Sequence, residues 1–377
     1  MSESYMQFAL RSLVLLLFSG LIFWHSVSNP QYNWDMIGYV ASAFSYEIDD
    51  AGQLQRTVYT LLKQTVPEEA YKDLTHGRHR HARAYDPESL KQHLPFYQIR
   101  IVYVLTIYVS YKLGLNPFIA SYLISAISII IALWVLAFLF PLNVSLIYLI
   151  TIPVTGLIFD FHNLSNLSTP DALAVLIVFI SYSLLLRQRK ELLLVLPLSV
   201  LIRTDLLILV GVFYVYLFIF KDWEKKYILL SALLGIIGYC WVNWQFDNYG
   251  WSTVFHYTFI KRQTHPGQQA IVVDLNTYYQ ILKRNIFKYH PKFFLFFVSY
   301  LVAIAWSIAL IMKHIKTFNE RPNDIMLDLL FLVSSSVIYV LMHYFLFPAP
   351  WLRFFAGNYV LAYCMLCFLL LRVKTSR

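Results

Sequence analysis

Three acidic positions in this sequence stand where a carboxylate is costly unless it has a task. Asp35 follows Asn33 and Trp34 just after the first long apolar run. Asp160 stands with His162 among Phe159 and Phe161, and Asp171 ends the run Ser168, Thr169, Pro170 at the head of another apolar stretch. Ionisable groups beside such sequence are expensive unless they face a cavity or a partner, and a carboxylate held there can accept the proton of an attacking hydroxyl. The complementary cations are Arg203 in Arg203-Thr204-Asp205, Lys261 with Arg262, Lys283 with Arg284, and Arg353 after Trp351. A guanidinium matches the oxygens of a phosphate. Blander accounts compete with each residue. Asp35 in a first helical turn gains at most about 1 kcal/mol from the helix dipole. Thr169 as an N-cap and Pro170 as first helical position account for Asp171 adequately, but leave Asp160 and His162 unexplained. Arg203 can be a local partner of Asp205, Arg353 an interfacial anchor, and Lys261 and Arg262 a solvated loop.

The elements that must position these residues are apolar helices. The 377 residues are 59% hydrophobic, 18% aromatic and only 14% charged, a balance that excludes a soluble protein. Asn116 to Phe140, Tyr227 to Trp244, Phe293 to Met312 and Phe354 to Leu371 approach or exceed the roughly 20 residues of a spanning helix. They are apolar all round, which excludes the alternating segments of a membrane β-barrel. The net charge of +9 lies largely in short loops between these runs; that is a signature of membrane orientation, not of a nucleic-acid partner. Cys364 and Cys367, spaced as Cys-x-x-Cys, fall inside an apolar run with Cys240 in another, and read as lipid or core filling.

Four short basic stretches, Arg187 to Glu191, Lys221 to Lys226, Lys313 to Asp324 and Arg372 to Arg377, are placed in the cytoplasm by the positive-inside rule. The expectation is an all-α, polytopic integral membrane protein with about ten transmembrane helices, a single membrane domain over 1–377 with no soluble domain beside it. Leu10 to Trp24 lacks a small-x-small cleavage pattern and reads as a retained anchor. Two substantial external loops are expected on one side, 30–95 with amphipathic helices and 247–291. Parity between them is met if 96–113 lies in the interface and does not cross, with Ile101, Leu105 and Val109 as its apolar stripe; the alternative is a tilted true span with an inverted N-terminus. Leu192 to Phe220 is long enough for a hairpin of two short helices, with Arg203 and Asp205 at its turn. In the first loop Asn33 is an expected N-cap for a helix whose apolar face is Ile37, Val40, Ala41 and Phe44, with Asp35 on the polar side. A metal site at His76, His79, His81 and His93 is disfavoured by the interleaved Arg78, Arg80 and Arg83, which read as a phosphate-facing or merely solvated basic loop.

With Trp34-Asp35 opening the first external loop, Ser168-Thr169-Pro170-Asp171 at the head of a span after a second one, and Arg203-Thr204-Asp205 in a hydrophobic hairpin, the chain resembles the C-type (GT-C) membrane glycosyltransferases. His93-Leu94-Pro95-Phe96-Tyr97 is similar to the start of that superfamily's interfacial helices, and Arg353 opening the last span also looks familiar. The sequence departs from the pattern of protein mannosyltransferases, having no paired Asp-Glu. The resemblance implies transfer, with inversion, of a sugar from a polyprenyl-phosphate donor to a hydroxyl of a glycan or lipid acceptor at the external membrane face. Asp35 would be general base, with Asp171 and then Asp160, beside His162, orienting acceptor or sugar. Arg353, with Arg203 or the Lys261 and Arg262 pair, would hold the leaving phosphate. No metal is obligatory on this reading; the alternative is a divalent ion on Asp35 with Asp160 or Asp171. Membrane lipid is the implied surrounding, and a bacterial inner membrane with the site facing the periplasm the implied location. Rival readings are a polymerase or ligase of lipid-linked glycans, a lipid flippase or transporter, and a non-catalytic scaffold. A transporter should carry ionisable groups near mid-membrane, and Pro117 to Phe140, Asn143 to Phe159, Ala172 to Leu186, Tyr227 to Trp244 and Phe293 to Met312 contain none.

Overall fold

The structure is a computed structural model that describes residues 3–139, 146–268, 271–287, 291–318 and 324–375. Among these every regular element is helical, apart from an isolated bridge between Gln31 and Leu167. Among the described residues five helices are long and apolar enough to cross a membrane: Phe8–Ser28, Pro117–Ala137, Lys225–Gln245, Pro291–Lys313 and Ile325–Leu346. Their backbone groups are satisfied internally, which is the condition for crossing lipid. Leu13, Leu16, Leu17, Leu21 and Trp24 on the first, and Leu229, Leu230, Leu233, Ile236 and Ile237 on the third, face outward as an apolar surface that lipid would cover. The chain is thus a helical protein with the makings of a membrane protein.

The other apolar stretches form shorter helices: Ile101–Lys112, Tyr148–Ile158, Asp171–Leu186, Leu192–Ile202, Thr204–Phe220 and Ala356–Leu371. A helix of 16 residues such as Asp171–Leu186 rises about 24 Å, less than the roughly 30 Å hydrocarbon core. The turn at Pro141, residues 319–323 and residues 376–377, on which part of the expected topology rests, lie outside the described residues.

One apolar core runs through the long helices. It packs Asp171–Leu186 against Pro117–Ala137, Leu192–Ile202 against Lys225–Gln245, and Pro291–Phe318 against Ala356–Thr375. A second core lies within residues 36–118 and joins the first at Leu173. Its centre is the helix Asp35–Phe44. Trp34, not Asn33, is the N-cap residue, but Asn33 Oδ1 accepts the Met36 amide at 3.1 Å and so satisfies one amide of the first turn. The expected amphipathic face is not what forms, however: Met36 through Phe44 are all buried, because helices close over both sides. Gly38 is required there, since a Cβ would run into the Tyr97 ring. Ala51–Thr65 is the amphipathic element, capped by Asp50 on the Gln53 amide at 2.7 Å and burying Leu54, Val58, Tyr59 and Leu62.

Ile101–Lys112, at 12 residues, buries Tyr103, Val104 and Ile107 against Asp35–Phe44 and Pro117–Ala137. The expected stripe is corrected: Leu105 and Val109 are exposed, as apolar residues can be where lipid tails are as good a partner as protein. Leu192–Ile202 and Leu207–Phe220 form the anticipated hairpin, with Arg203 through Leu206 at the turn. The two long polar segments meet one another. The Ser89 hydroxyl donates to the Thr264 carbonyl at 2.7 Å, Tyr249 donates to the Gln92 carbonyl at 3.0 Å, and His265 Nε2 lies 2.8 Å from Asp86 Oδ2.

Candidate active site

Four of the sequence-nominated residues converge. Asp35 opens the helix Asp35–Phe44, Asp171 opens Asp171–Leu186, Arg203 stands at the hairpin turn, and Arg353 lies in the short helical turn Leu352–Phe354 before the last helix. Each is held at a helix end, where chain direction changes and a side chain can reach a neighbour without burying an unpaired backbone. Arg353 links two of the carboxylates: Nη1 lies 3.3 Å from Asp35 Oδ2 and Nε lies 3.6 Å from Asp171 Oδ2. Arg203 Nη1 donates to Asp171 Oδ1, while its Nε and Nη2 grip Asp205 at 3.0 and 2.8 Å. The chain continues through Asp205 Oδ2 to the Tyr339 hydroxyl and His343 Nε2, each at 3.1 Å.

The network is graded in access. The side chains of Asp171 and Arg203 are 5% and 9% exposed, against 26% and 24% for Asp35 and Arg353. Burial disfavours the Arg203 charge, but Asp205 and Asp171 outweigh it and hold its pKa above the ordinary arginine value. Burial likewise works against Arg353, and Asp171 and Asp35 outweigh it. The Arg353 guanidinium packs over Trp351 and Phe354 at 5.0 and 5.2 Å, so interfacial packing and ion pairing both act on it. The expected cap at Thr169 is corrected: the helix begins at Asp171 without a side-chain cap, and the Thr169 hydroxyl donates to Asp171 Oδ2 at 2.8 Å. With Arg203 on Oδ1, that fixes both oxygens of Asp171.

On its other side Asp35 accepts from the Tyr97 hydroxyl at 3.4 Å, and Tyr97 in turn accepts from Arg83 Nη1 at 3.4 Å. Burial raises the Tyr97 pKa, which keeps the hydroxyl protonated and donating. The Arg83 guanidinium stacks on the Trp34 ring at 3.5 Å, with Arg262 at 5.4 Å and Arg80 at 5.9 Å from the same ring centre. Arg262 is thus brought to the neighbourhood of Asp35 through Trp34.

The remaining nominated residues are not drawn in. Asp160, in a left-handed conformation with φ 74°, is bonded to Lys292 at 3.2 Å and Asn163 at 3.0 Å, and His162 lies 4.0 Å away. No contact ties either to Asp35 among the described residues. The Lys261 side chain is exposed and lacks a partner among the described contacts. A divalent ion between Asp35 and Asp171 would need the place that Arg353 occupies, and no group of three or more potential metal ligands occurs among the described residues.

Sequence reasoning overlooked Arg83, Tyr97, Tyr339 and His343 as members of the site. His343 had a signal: it is an ionisable residue in the last turn of an apolar helix, ten positions before Arg353. Arg83 had only a diffuse one, because it lies in the basic stretch His76 to Arg83, which reads as a phosphate-facing or merely solvated loop without singling out any residue. No family model matches this chain, and no curated protein or solved structure matches it either.

Proposed function

We propose that this protein is a polytopic membrane glycosyltransferase of GT-C type, with about ten membrane-crossing or partly crossing helices, that moves a sugar from a polyprenyl-phosphate donor to an acceptor hydroxyl. The observation that carries the reading is the sharing of Arg353 between Asp35 and Asp171. Its two ion-pair distances are long beside the tight grip of Arg203 on Asp205, so a phosphate can take over Arg353 at modest cost. Doing so releases the Asp35 carboxylate to act as base.

In the reaction the acceptor oxygen attacks the anomeric carbon as the bond from that carbon to the phosphate oxygen breaks. The acceptor proton passes to Asp35, and the negative charge left on the polyprenyl phosphate is met by Arg353. A single displacement inverts the anomeric centre. Arg203 is saturated by Asp171 and Asp205 and contributes by fixing Asp171, not by meeting phosphate. The reading needs no metal.

The test is turnover of a panel of polyprenyl-phosphate sugars by purified wild type and Asp35→Asn, with membrane lipid extract as acceptor source and thermal melts to show equal folding. Loss of at least about 100-fold is expected of a missing base. An active wild type with an unaffected Asp35→Asn removes Asp35 from the chemistry. A folded wild type that neither binds nor consumes any donor removes the transferase reading.

A further inference from the structure

Asp35 stands between two groups of arginines that differ in their charge balance. On one side Arg353 and Arg203 are matched by Asp35, Asp171 and Asp205. On the other, Arg83 is 1% exposed and has no carboxylate partner among the described contacts; it makes one hydrogen bond, to Tyr97, and its Nε is buried without a partner. The titratable groups that most strongly face it are the hydroxyls of Tyr97, Tyr59 and Tyr257. Arg262 reaches the same Trp34 ring from the second long polar segment and has no ion pair among those described, whereas Arg80 is already paired with Asp73 at 2.6 Å.

A buried guanidinium without a counter-ion is costly, and here other polar atoms in its surroundings are also unsatisfied. His93 Nε2, His79 Nδ1 and the hydroxyls of Tyr59 and Tyr257 are buried without hydrogen-bond partners. The His93 and Tyr257 rings pack at 5.6 Å, and the positive charge of Arg83 bears on all four of these side chains. An uncompensated charge among unsatisfied polar groups is the pattern of a ligand site and not of a structural ion pair. Arg83 Nε, the Tyr59 and Tyr257 hydroxyls and Arg262 supply more than two donors, which favours a phosphate's oxygens over the two of a carboxylate.

We propose that Arg83 and Arg262, clamped about Trp34, bind a phosphate group carried by the acceptor. This rests on the transferase reading: with the donor phosphate at Arg353, Asp35 lies between two anion sites, and the acceptor hydroxyl reaches it from the Trp34 side. The substrate class is then an alcohol that carries a phosphate close to the hydroxyl it offers.

The experiment needs no turnover. Melting of the detergent-solubilised full chain is followed against inorganic phosphate and, separately, lysophosphatidic acid, with chloride at matched ionic strength and an uncharged lysolipid as controls. Wild type and Arg353→Gln should be stabilised by phosphate. Arg262→Gln and Arg83→Lys should need about tenfold more or should not respond, the loss expected of a charge-assisted contact. Arg262 is exposed, so its variant folds even where a change at Arg83 does not. Tighter binding of the lysolipid assigns the phosphate to a lipid, and equal binding to a soluble molecule; both support the site. Wild-type indifference to both phosphates, or a response abolished by Arg353→Gln and untouched by Arg262→Gln, overturns it. In that case turnover that still depends on Asp35 would leave the transferase reading standing with an uncharged acceptor.

Discussion

Two buried charge clusters hold opposite ends of one antiparallel helix pair, Leu207–Phe220 and Asp324–Leu346, about 22 Å apart along the helices. At one end Lys221 meets Asp328 at 2.8 Å, and the same carboxylate accepts from Tyr216 at 2.7 Å and Gln188 at 2.5 Å. Both side chains are almost fully enclosed, at 4% and 0% exposed. At the other end Asp205 joins Arg203, Tyr339 and His343, and the network runs on through Asp171 and Arg353 to Asp35. The first cluster is closed: one cation, one anion, and both carboxylate oxygens engaged. The second is open, with a partly exposed carboxylate and a partly exposed guanidinium at its edge. A closed pair can only fasten helices, whereas an open one can exchange a partner for a ligand.

Substitution should separate the two ends. Arg203→Gln leaves Asp171 and Asp205 without their shared cation, and is expected to cost about 3 to 5 kcal/mol in an unfolding titration and also to depress turnover per folded molecule. Arg203→Lys should recover little of either, since an ammonium cannot hold the Asp205 fork and Asp171 together. Lys221→Met should bring a similar loss of stability, about 3 to 5 kcal/mol, with turnover per folded molecule unchanged. Adding Asp328→Leu should restore at least half of it by removing the stranded carboxylate. A Lys221→Met protein that folds normally but turns over slowly would erase the distinction between fastening and chemistry.

The open end was more legible in the sequence than the closed one. Asp35, Asp171, Arg203 and Arg353 stand out because each is an ionisable residue beside an apolar run, an anomaly that local sequence displays. Lys221 reads as one more basic loop residue, and Asp328 is not singled out; their pairing depends on two helices meeting and leaves no local trace. Arg83 is hidden for the same reason, being buried by the fold around Trp34 while its neighbours in sequence are solvated. Periodicity misled at Ile101–Lys112, because a regular apolar stripe declares a face without declaring whether protein or lipid covers it. At Thr169 residue type suggested a cap, but the hydroxyl found a carboxylate two positions away. The hairpin around Arg203 was readable because two short apolar runs flanking a charged triplet allow few other arrangements.

The smallest effect tests whether the Trp34 side belongs with the open end, and it is read through His93. Its Nδ1 lies 2.6 Å from the Ser89 carbonyl, and its ring packs against Phe96 and Tyr257. Burial lowers its pKa to about 3, with Arg83 the next cause and His265 a weaker one. The folded protein therefore favours the neutral ring, and the unfolded chain takes up a proton that the folded one refuses below about pH 6.5. The stability this contributes is complete above that pH and is lost as pH falls toward about 3; the loss reaches about 1.4 kcal/mol by pH 5.5. His93→Gln, which keeps a donor for the Ser89 carbonyl, should flatten the difference between unfolding at pH 7.5 and 5.5 by about that amount. Saturating phosphate at Arg83 should offset part of the repulsion and shrink the same difference in wild type. An acid dependence identical in wild type and His93→Gln would show that the ring protonates freely, and that the pocket around Arg83 is wetter and less constrained than the buried cluster described.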